Sequence, residues 1–283
     1  MKIEKLFGRG RPVFSFEFFP PRTDAGYTSL FRTVAELKEL TPGFVSVTWG
    51  AGGSTRRKTV ELVSRIQSEI GLTAMAHLTC IGSSRAELAE TLDRLQDAGI
   101  ENVLALGGDR PEGYTPPQDG LSYASELSRF IRSRWGFCLG GACYPEKHPR
   151  AATAADDLRY LGEKVQAGVD FLITQLFFDN RDYFRFVEEV RRLGITQPIV
   201  PGIMPVISTA SVRKMAQLSG AHIPAELSAE LDAAGEDPER TLEVGVRWAT
   251  RQCRELLARG APGIHFYTLN RSTATRDICT QLF

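Results

Sequence analysis

Short apolar segments alternate with amphipathic segments along most of the chain. The apolar segments are rich in Val, Ile, Leu and Phe, which is typical of buried strands. The amphipathic segments carry leucines at helical spacing, as at 88, 92 and 95, and several end just before a glycine such as Gly99. Predicted strands lie at 12–19, 44–49, 73–80, 102–108, 137–144, 170–178, 198–204 and 263–269. Predicted helices include 24–40, 55–70, 85–98, 156–167 and 181–193.

Eight strand–helix units, spaced by about 30 residues, predict an α/β fold of the (β/α)8 TIM-barrel type. A doubly wound open sheet is the alternative, but it usually has fewer units and a glycine fingerprint after its first strand. Here Pro20 and Pro21 follow that strand. Segment 219–237 predicts an extra helix between strands seven and eight. Because no linker or repeat interrupts the pattern, we expect residues 1–283 to form a single domain.

The first predicted strand contains an acidic residue, Glu17, among phenylalanines. Side chains alternate across a strand, so Val13, Ser15, Glu17 and Phe19 should share one face. An ionised carboxylate is costly to bury. We therefore expect the pKa of Glu17 to be raised, which would suit a general acid near neutral pH. A structural ion pair with Arg or Lys is an equally good explanation of a buried Glu.

Composition excludes several classes of function. The chain has 283 residues, 42% of them hydrophobic and 24% charged, with a formal net charge of +0. Such a balance supplies no global field for nucleic acid or an anionic membrane, which leaves only a local patch for such binding. No apolar run approaches the roughly 20 residues of a membrane span. The first residues lack an apolar secretory core, so we expect a cytoplasmic protein. The five cysteines include no C-x-x-C pair and the four histidines are scattered, so no metal site is predicted.

Polar residues recur where the predicted strands end, which is where barrel enzymes place their active sites. His77 lies in strand three. A lone histidine in such a position is more often a hydrogen-bonded core residue than a functional one. Asp109 follows Gly107 and Gly108, and is as well explained by a turn as by a function. The glycine-rich segment 50–54 could present helix N–H groups to a phosphate, but a turn capped by its serine is the better explanation.

Later strand ends add further candidates. Tyr144 and His148 border a loop fixed by two prolines. Gln175 is an amide within an apolar strand and needs partners there, either a ligand or a neighbour in the barrel. Arg271 is a candidate clamp for carboxylate or phosphate, although a surface ion pair is the commoner fate of an arginine. Together these groups predict a barrel enzyme whose mouth accepts a large planar ligand.

Nine short motifs carry a resemblance to a known family. They are FEFFPP (16–21), SVTWGAG (46–52), HLTC (77–80), GD (108–109), YAS (123–125), YPEKHP (144–149), ITQ (173–175), PGIMP (201–205) and HFYTLNR (265–271). In this order they resemble the 5,10-methylenetetrahydrofolate reductases of the bacterial, single-domain type. The resemblance covers roughly residues 12 to 275.

The resemblance implies a barrel that holds FAD, accepts hydride from NADH or NADPH, and reduces methylenetetrahydrofolate to 5-methyltetrahydrofolate by a ping-pong route. It implies that Glu17 is the general acid and that Asp109 tunes flavin and pterin, with folate contacts from Gln175, Met215 and Arg271 as well as from these two acids. Positions matching flavin contacts are Thr48, Trp49, His77, Gly107, Gly108, Asp109, Tyr123, Ala124, Tyr144, His148, Asp157 and Lys164. The family often forms homo-oligomers.

The chain departs from the family pattern at three positions. Gly107 stands where many bacterial members carry an arginine, Tyr160 where some carry an asparagine, and Met215 where some carry a phenylalanine. These changes leave the FAD affinity and the choice between NADH and NADPH open. Two other functions also remain open: a related flavin barrel that oxidises another amine, as proline dehydrogenases do, and an inactive barrel that binds flavin or folate.

Overall fold

The computed structural model describes residues 1–49, 53–110 and 113–282. Nine strands are present in this part of the chain, numbered β1 to β9 in order. They are Val13–Phe18, Phe44–Val47, Ala74–Thr79, Asn102–Leu106, Cys138–Cys143, Phe171–Thr174, Ile199–Val200, Gly202–Ile203 and Gly263–Tyr267. The helices α1 to α10 are Asp24–Lys38, Gly53–Arg65, Arg85–Asp97, Ala124–Arg132, Ala154–Gln166, Asn180–Arg192, Thr209–Ser219, Ala225–Ala234, Pro238–Ala258 and Thr273–Leu282. Short turns of 3-10 and π-helix cover Ile3–Leu6 and Ile66–Ile70.

All strand pairs are parallel, in the order β7-β6-β5-β4-β3-β2-β1-β9-β8. β7 and β8 are two pieces of one extended stretch that is interrupted at Pro201, which has no N–H to donate. The first piece pairs with β6 and the second with β9, so this stretch closes the sheet. The predicted (β/α)8 barrel is confirmed, with the strand predicted at 198–204 divided in two.

The lower half of the barrel interior is apolar. Inward side chains from successive strands form one cluster there: Val13, Phe44, Met75, Leu104, Cys138, Phe171, Ile173 and Val200. Ile3 and Leu6 of the N-terminal 3-10 turn pack against it from below. Because side chains alternate along a strand, the next inward positions of β1 and β2 are Ser15 and Ser46. The interior therefore changes from apolar to polar toward the carboxyl ends of the strands.

Predicted strand six is shorter than expected. It was predicted over 170–178, but β6 ends at Thr174. The Gln175 amide still donates to Cys143 O at 2.7 Å, after which the chain leaves the sheet. Leu176 and Phe178 then pack into a second cluster with residues of α7, α8 and α9, while Phe177 packs into the main core. Their burial outside the barrel explains why an apolar run continued past the end of the strand.

The extra helix predicted within 219–237 is confirmed as α8. Pro224 precedes it and Gly235, at φ 65°, follows it, so the chain signals both ends locally. It lies with α7 and α9 between the split strand and β9. In the part of the chain that the structure describes, none of the helices combines the length and apolar character needed to cross a membrane.

Candidate active site

Glu17 lies inside the barrel near the carboxyl end of β1, with Ser46 and Tyr267 as its register partners on the neighbouring strands. Its side chain is 18% exposed. Its Oε2 atom is 3.3 Å from His265 Nε2 and 3.4 Å from His77 Nε2. Among the described residues, neither Arg nor Lys pairs with it. Two imidazoles lie beside the carboxylate instead: His265 Nε2 is within hydrogen-bond distance, whereas His77 Nε2 has no hydrogen-bond partner among the described residues.

The two imidazoles change the proton affinity expected for Glu17. Burial, the largest single effect, raises the pKa of the carboxyl, but His77 and His265 together lower it, and the net result lies below the usual value. The predicted upward shift is therefore wrong for the free protein. The prediction weighed only neighbours in the sequence, whereas the decisive histidines come from β3 and β9. Burial also lowers the pKa of His77 to about 4, so this ring is neutral at pH 7.

His265 connects Glu17 to a second hydroxyl deeper in the barrel. Its Nδ1 atom is 2.8 Å from Ser15 Oγ, and Ser15 Oγ also lies 3.5 Å from Ile264 O. With a neutral ring, Ser15 donates to Nδ1 while Nε2–H donates to Glu17. With a protonated ring, Nδ1–H donates to Ser15, which can donate to Ile264 O. Both ring nitrogens of His265 thus have hydrogen-bond partners.

Hydrogen bonds fix the residues around Glu17, which form the floor of the site. Tyr267 donates its hydroxyl to Thr174 O at 2.6 Å, and burial raises the pKa of this phenol well above its usual value. Thr268 Oγ1 donates to the backbone carbonyl of Glu17 at 2.6 Å. The hydroxyl of Ser46 is buried without a hydrogen-bond partner among the described residues. The floor of the site is therefore fixed by hydrogen bonds, and the Ser46 hydroxyl can bind a further polar group.

Asp109 lies on the rim after β4, in very different surroundings. Its side chain is fully exposed, and its nearest cation is Arg150, 3.8 Å away between Nη2 and Oδ1. Arg150 Nη2 also donates to Gly108 O at 3.1 Å. Gly108 has φ +91°, and a Cβ atom there would lie 2.9 Å from Thr79 Cβ. Only glycine fits this close approach without strain.

Tyr144, His148 and Asp157, predicted to contact flavin, form one group on the rim. The Tyr144 and His148 rings meet edge to face with centroids 4.4 Å apart. The His148 amide donates to Asp157 Oδ2 at 2.9 Å, and its ring Nδ1 accepts from the Arg150 amide at 3.0 Å. The proton of a neutral His148 must then sit on Nε2, which can donate to a ligand. Lys164 is half-buried nearby with its Nζ on Ala142 O, and desolvation lowers the pKa of its ammonium group.

The other predicted flavin contacts also lie at the carboxyl ends of the strands. The Thr48 amide donates to Phe18 O at 2.8 Å, and Gly107 O accepts from the Ile81 amide at 3.0 Å. Trp49 Nε1 is buried without a hydrogen-bond partner in the described part of the chain. Tyr123, 60% exposed, precedes Ala124, the first residue of α4. The glycine-rich segment 50–54 lies largely outside the described residues.

The predicted folate contacts are spread around the mouth. Gln175 Oε1 accepts from the Leu176 amide at 2.9 Å, and Gln175 lines a depression together with Tyr144 and Glu146. Met215 is half-buried against the second apolar cluster. Arg271 is exposed after β9, and its side chain makes no ion pair with a described residue. The structure thus brings Gln175 and Tyr144 together in the lining of one depression.

Three residues of this site were not among the predicted ones: Ser15, His265 and Arg150. For two of them a signal existed. Alternation along β1 already places Ser15 on the face of Glu17, and alternation along β9 places His265 on the same face as Tyr267. What the sequence could not provide is the closure of β9 on β1, which brings residues 248 positions apart into contact.

Comparisons with known proteins agree with the motifs. A family model described as methylenetetrahydrofolate reductase matches residues 2–283. The chain is 40% identical over 283 residues to "Methylenetetrahydrofolate reductase (NADH) 1" of Arabidopsis thaliana, covering 95% of this chain and 48% of that protein. It is 38% identical over 275 residues to the 5,10-methylenetetrahydrofolate reductase of Pectobacterium carotovorum, covering 97% of this chain and 91% of that one.

The chain spans about half the length of the plant, fungal and nematode relatives that it matches. Among solved structures it resembles a Clostridium thermocellum protein that binds two copies of 5-methyl-5,6,7,8-tetrahydrofolic acid. That match has a TM-score of 0.67 at 13% identity and covers 99% of this chain and 97% of the other. At so low an identity the likeness supports the barrel fold alone.

Proposed function

The chain belongs to the methylenetetrahydrofolate reductase family, and from that premise we propose that it reduces 5,10-methylenetetrahydrofolate to 5-methyltetrahydrofolate with NADH or NADPH through FAD. The observation that carries the proposal is the inward Glu17 carboxylate between two imidazoles at the carboxyl ends of the strands. A reduction of this kind must open a five-membered ring by protonating its N10 nitrogen, and a buried acid at the site of reaction suits that task.

The rim residues suit FAD in their chemistry. His148 Nε2 is a donor, and so is Trp49 Nε1, which has no hydrogen-bond partner among the described residues. Arg150 and Lys164 add positive charge. Gly108 permits a flat ring to approach the backbone. FAD bound there would carry hydride from the nicotinamide to the folate in two successive half-reactions. The protein would contribute orientation, exclusion of water and control of one proton.

Glu17 would be the residue that delivers this proton. In the free protein its carboxyl titrates below the usual pKa because His77 and His265 favour the ionised form, although burial opposes them. Covering the mouth with cofactor and substrate would exclude water and strengthen the effect of burial, which raises the pKa of a carboxyl. Glu17 would then take a proton from His265 and pass it to N10. Ser15 would keep the His265 ring satisfied before and after.

Stopped-flow absorbance on FAD-loaded protein tests the proposal. Reduction of the flavin by NADH and by NADPH is followed first, and methylenetetrahydrofolate is then added to the reduced protein without oxygen. We expect one of the two nucleotides to reduce the flavin faster, and the folate to reoxidise it with formation of 5-methyltetrahydrofolate. A protein that binds no flavin, or a reduced flavin that ignores the folate while another amine or imine restores it, would contradict the proposal.

A further inference from the structure

Phe19 is an exposed aromatic residue at the barrel mouth. It comes directly after β1, two positions past Glu17, and it is 44% exposed. A single exposed apolar side chain is ordinary in proteins. What sets Phe19 apart is its backbone, because one side chain binds both of its polar groups. The Phe19 amide donates to Asn270 Oδ1 at 2.9 Å, and Asn270 Nδ2 donates to Phe19 O at 2.8 Å.

The turn that carries Asn270 is strained. Leu269 and Asn270 have φ +52° and +57°, two successive residues in the left-handed region. Asparagine tolerates this region but leucine does not favour it, so surrounding contacts must hold the conformation. One such contact is Thr268, which accepts from the Asn270 amide at 3.2 Å and donates to Glu17 O at 2.6 Å. Strain of this kind tends to persist where a site needs a fixed geometry.

The turn therefore fixes the end of β1 at two points, the carbonyl of Glu17 and the backbone of Phe19. It also leads directly into Arg271, which is exposed. Glu17, Phe19 and Arg271 thus belong to one hydrogen-bonded unit that extends from the barrel floor to the rim. An acid, an aromatic ring and a cation follow one another in it.

We propose that Phe19 binds the aminobenzoyl ring of the folate substrate and that Asn270 is the residue that positions it. This inference rests on the proposed function. In folate the benzoyl ring is attached to N10, the atom that Glu17 would protonate, and the glutamate carboxylates lie beyond that ring. A ligand whose N10 is at Glu17 and whose carboxylates are at Arg271 must pass its benzoyl ring over the segment between them. An aromatic side chain there gives the ring an offset or edge-to-face partner.

Binding to the FAD-loaded, oxidised protein tests the inference without turnover. The flavin absorbance change gives Kd for tetrahydrofolate and for 6-methyltetrahydropterin, which lacks the aminobenzoylglutamate. For Phe19→Ala we expect Kd of tetrahydrofolate to rise about tenfold, as loss of one aromatic contact suggests, and Kd of the pterin to stay within about twofold. Phe19→Tyr, which keeps an aromatic ring, should bind tetrahydrofolate with the Kd of the wild-type protein. Leu193→Ala, which removes a 56% exposed side chain after α6, should change neither Kd.

Asn270→Gly separates positioning from backbone strain, because glycine keeps a positive φ and loses only the side chain. We expect it to weaken tetrahydrofolate binding nearly as much as Phe19→Ala and to raise KM for methylenetetrahydrofolate more than it lowers kcat. Thermal unfolding and FAD content show whether each variant is folded.

Phe19→Ala could weaken the binding of tetrahydrofolate and of the pterin equally, or slow flavin reduction by NADH to the same degree. Either result would overturn the inference, because Phe19 would then support the whole site and not the aminobenzoyl ring. An unchanged tetrahydrofolate Kd for Phe19→Ala would also overturn it. If the wild-type protein bound tetrahydrofolate but failed to reduce methylenetetrahydrofolate, the proposed function would fail while the binding role of Phe19 stood.

Discussion

The floor and the rim of this barrel hold their acids in opposite ways. Glu17 on the floor is 18% exposed, within 3.4 Å of two imidazoles, and its carbonyl is fixed by Thr268. Asp109 on the rim is fully exposed, and the Arg150 guanidinium lies 3.8 Å from its carboxylate. The strands therefore set the proton affinity of Glu17 before any ligand arrives.

Removing the acid of the floor should have the largest effect. Glu17→Gln keeps the size of the side chain and removes its proton, so we expect the folate half-reaction to slow about 10³-fold, in the range of general acid catalysis. Reduction of the flavin by NADH needs no such proton and should stay within about threefold. Stopped-flow measurement of both half-reactions checks this. Equal slowing of the two would show that Glu17 supports the site and does not supply the proton.

The buried His77 should make the stability of the floor depend on pH. Its pKa of about 4 lies below the usual value, so the unfolded chain binds more protons between about 4 and 6.5. Folding stability should therefore fall as the pH drops through this window, by about 2 kcal/mol between pH 7 and pH 5. Urea unfolding of the cofactor-free protein at both values measures it.

A matched pair of variants assigns this pH dependence. His77→Gln should remove most of it, whereas His222→Gln, which replaces an exposed histidine, should leave it in place. A wild-type protein equally stable at pH 7 and pH 5 would show that His77 is not held neutral by burial.

Two buried serines separate proton transfer from packing. Ser15 lies 2.8 Å from His265 Nδ1, whereas Ser46, on the neighbouring strand, has no hydrogen-bond partner among the described residues. We expect Ser15→Ala to slow the folate half-reaction about tenfold, since the loss of one hydrogen bond costs about 1 kcal/mol or somewhat more. Ser46→Ala should change it by less than about twofold. Equal effects of the two substitutions on the rate would contradict a proton relay through His265.

The exposed acid of the rim should have the smallest effect on the free protein. Asp109→Asn should leave the free energy of unfolding within about 0.5 kcal/mol, because surface changes away from structural contacts rarely exceed this. Once FAD and folate cover the rim, the same change should alter the rate of the folate half-reaction. If Asp109→Asn destabilised the cofactor-free protein as much as Glu17→Gln, the contrast between floor and rim would be wrong.

The sequence allowed more to be predicted about the floor than about its electrostatics. Alternation along β1 placed Ser15 and Glu17 on one face, and Pro224 and Gly235 marked the two ends of the extra helix. Both could be predicted because the signals are local in the sequence. The direction of the Glu17 pKa shift was predicted wrongly because His77 and His265 reach it through strand pairing across the closed barrel. Pro201, which has no N–H to donate, divides one predicted strand, but the pairing of its two pieces with different neighbours, β6 and β9, could not be predicted from the sequence.

The central claim is that Glu17 is ionised in the free protein and becomes the proton donor when ligands cover it. Infrared difference spectra between wild type and Glu17→Gln report its carboxyl directly, with and without FAD and tetrahydrofolate, across pH 4 to 8. The account predicts a pKa below the usual carboxyl value in the free protein and a protonated carboxyl near neutral pH in the ternary complex. A carboxylate that stays ionised at pH 6 with both ligands bound would contradict it.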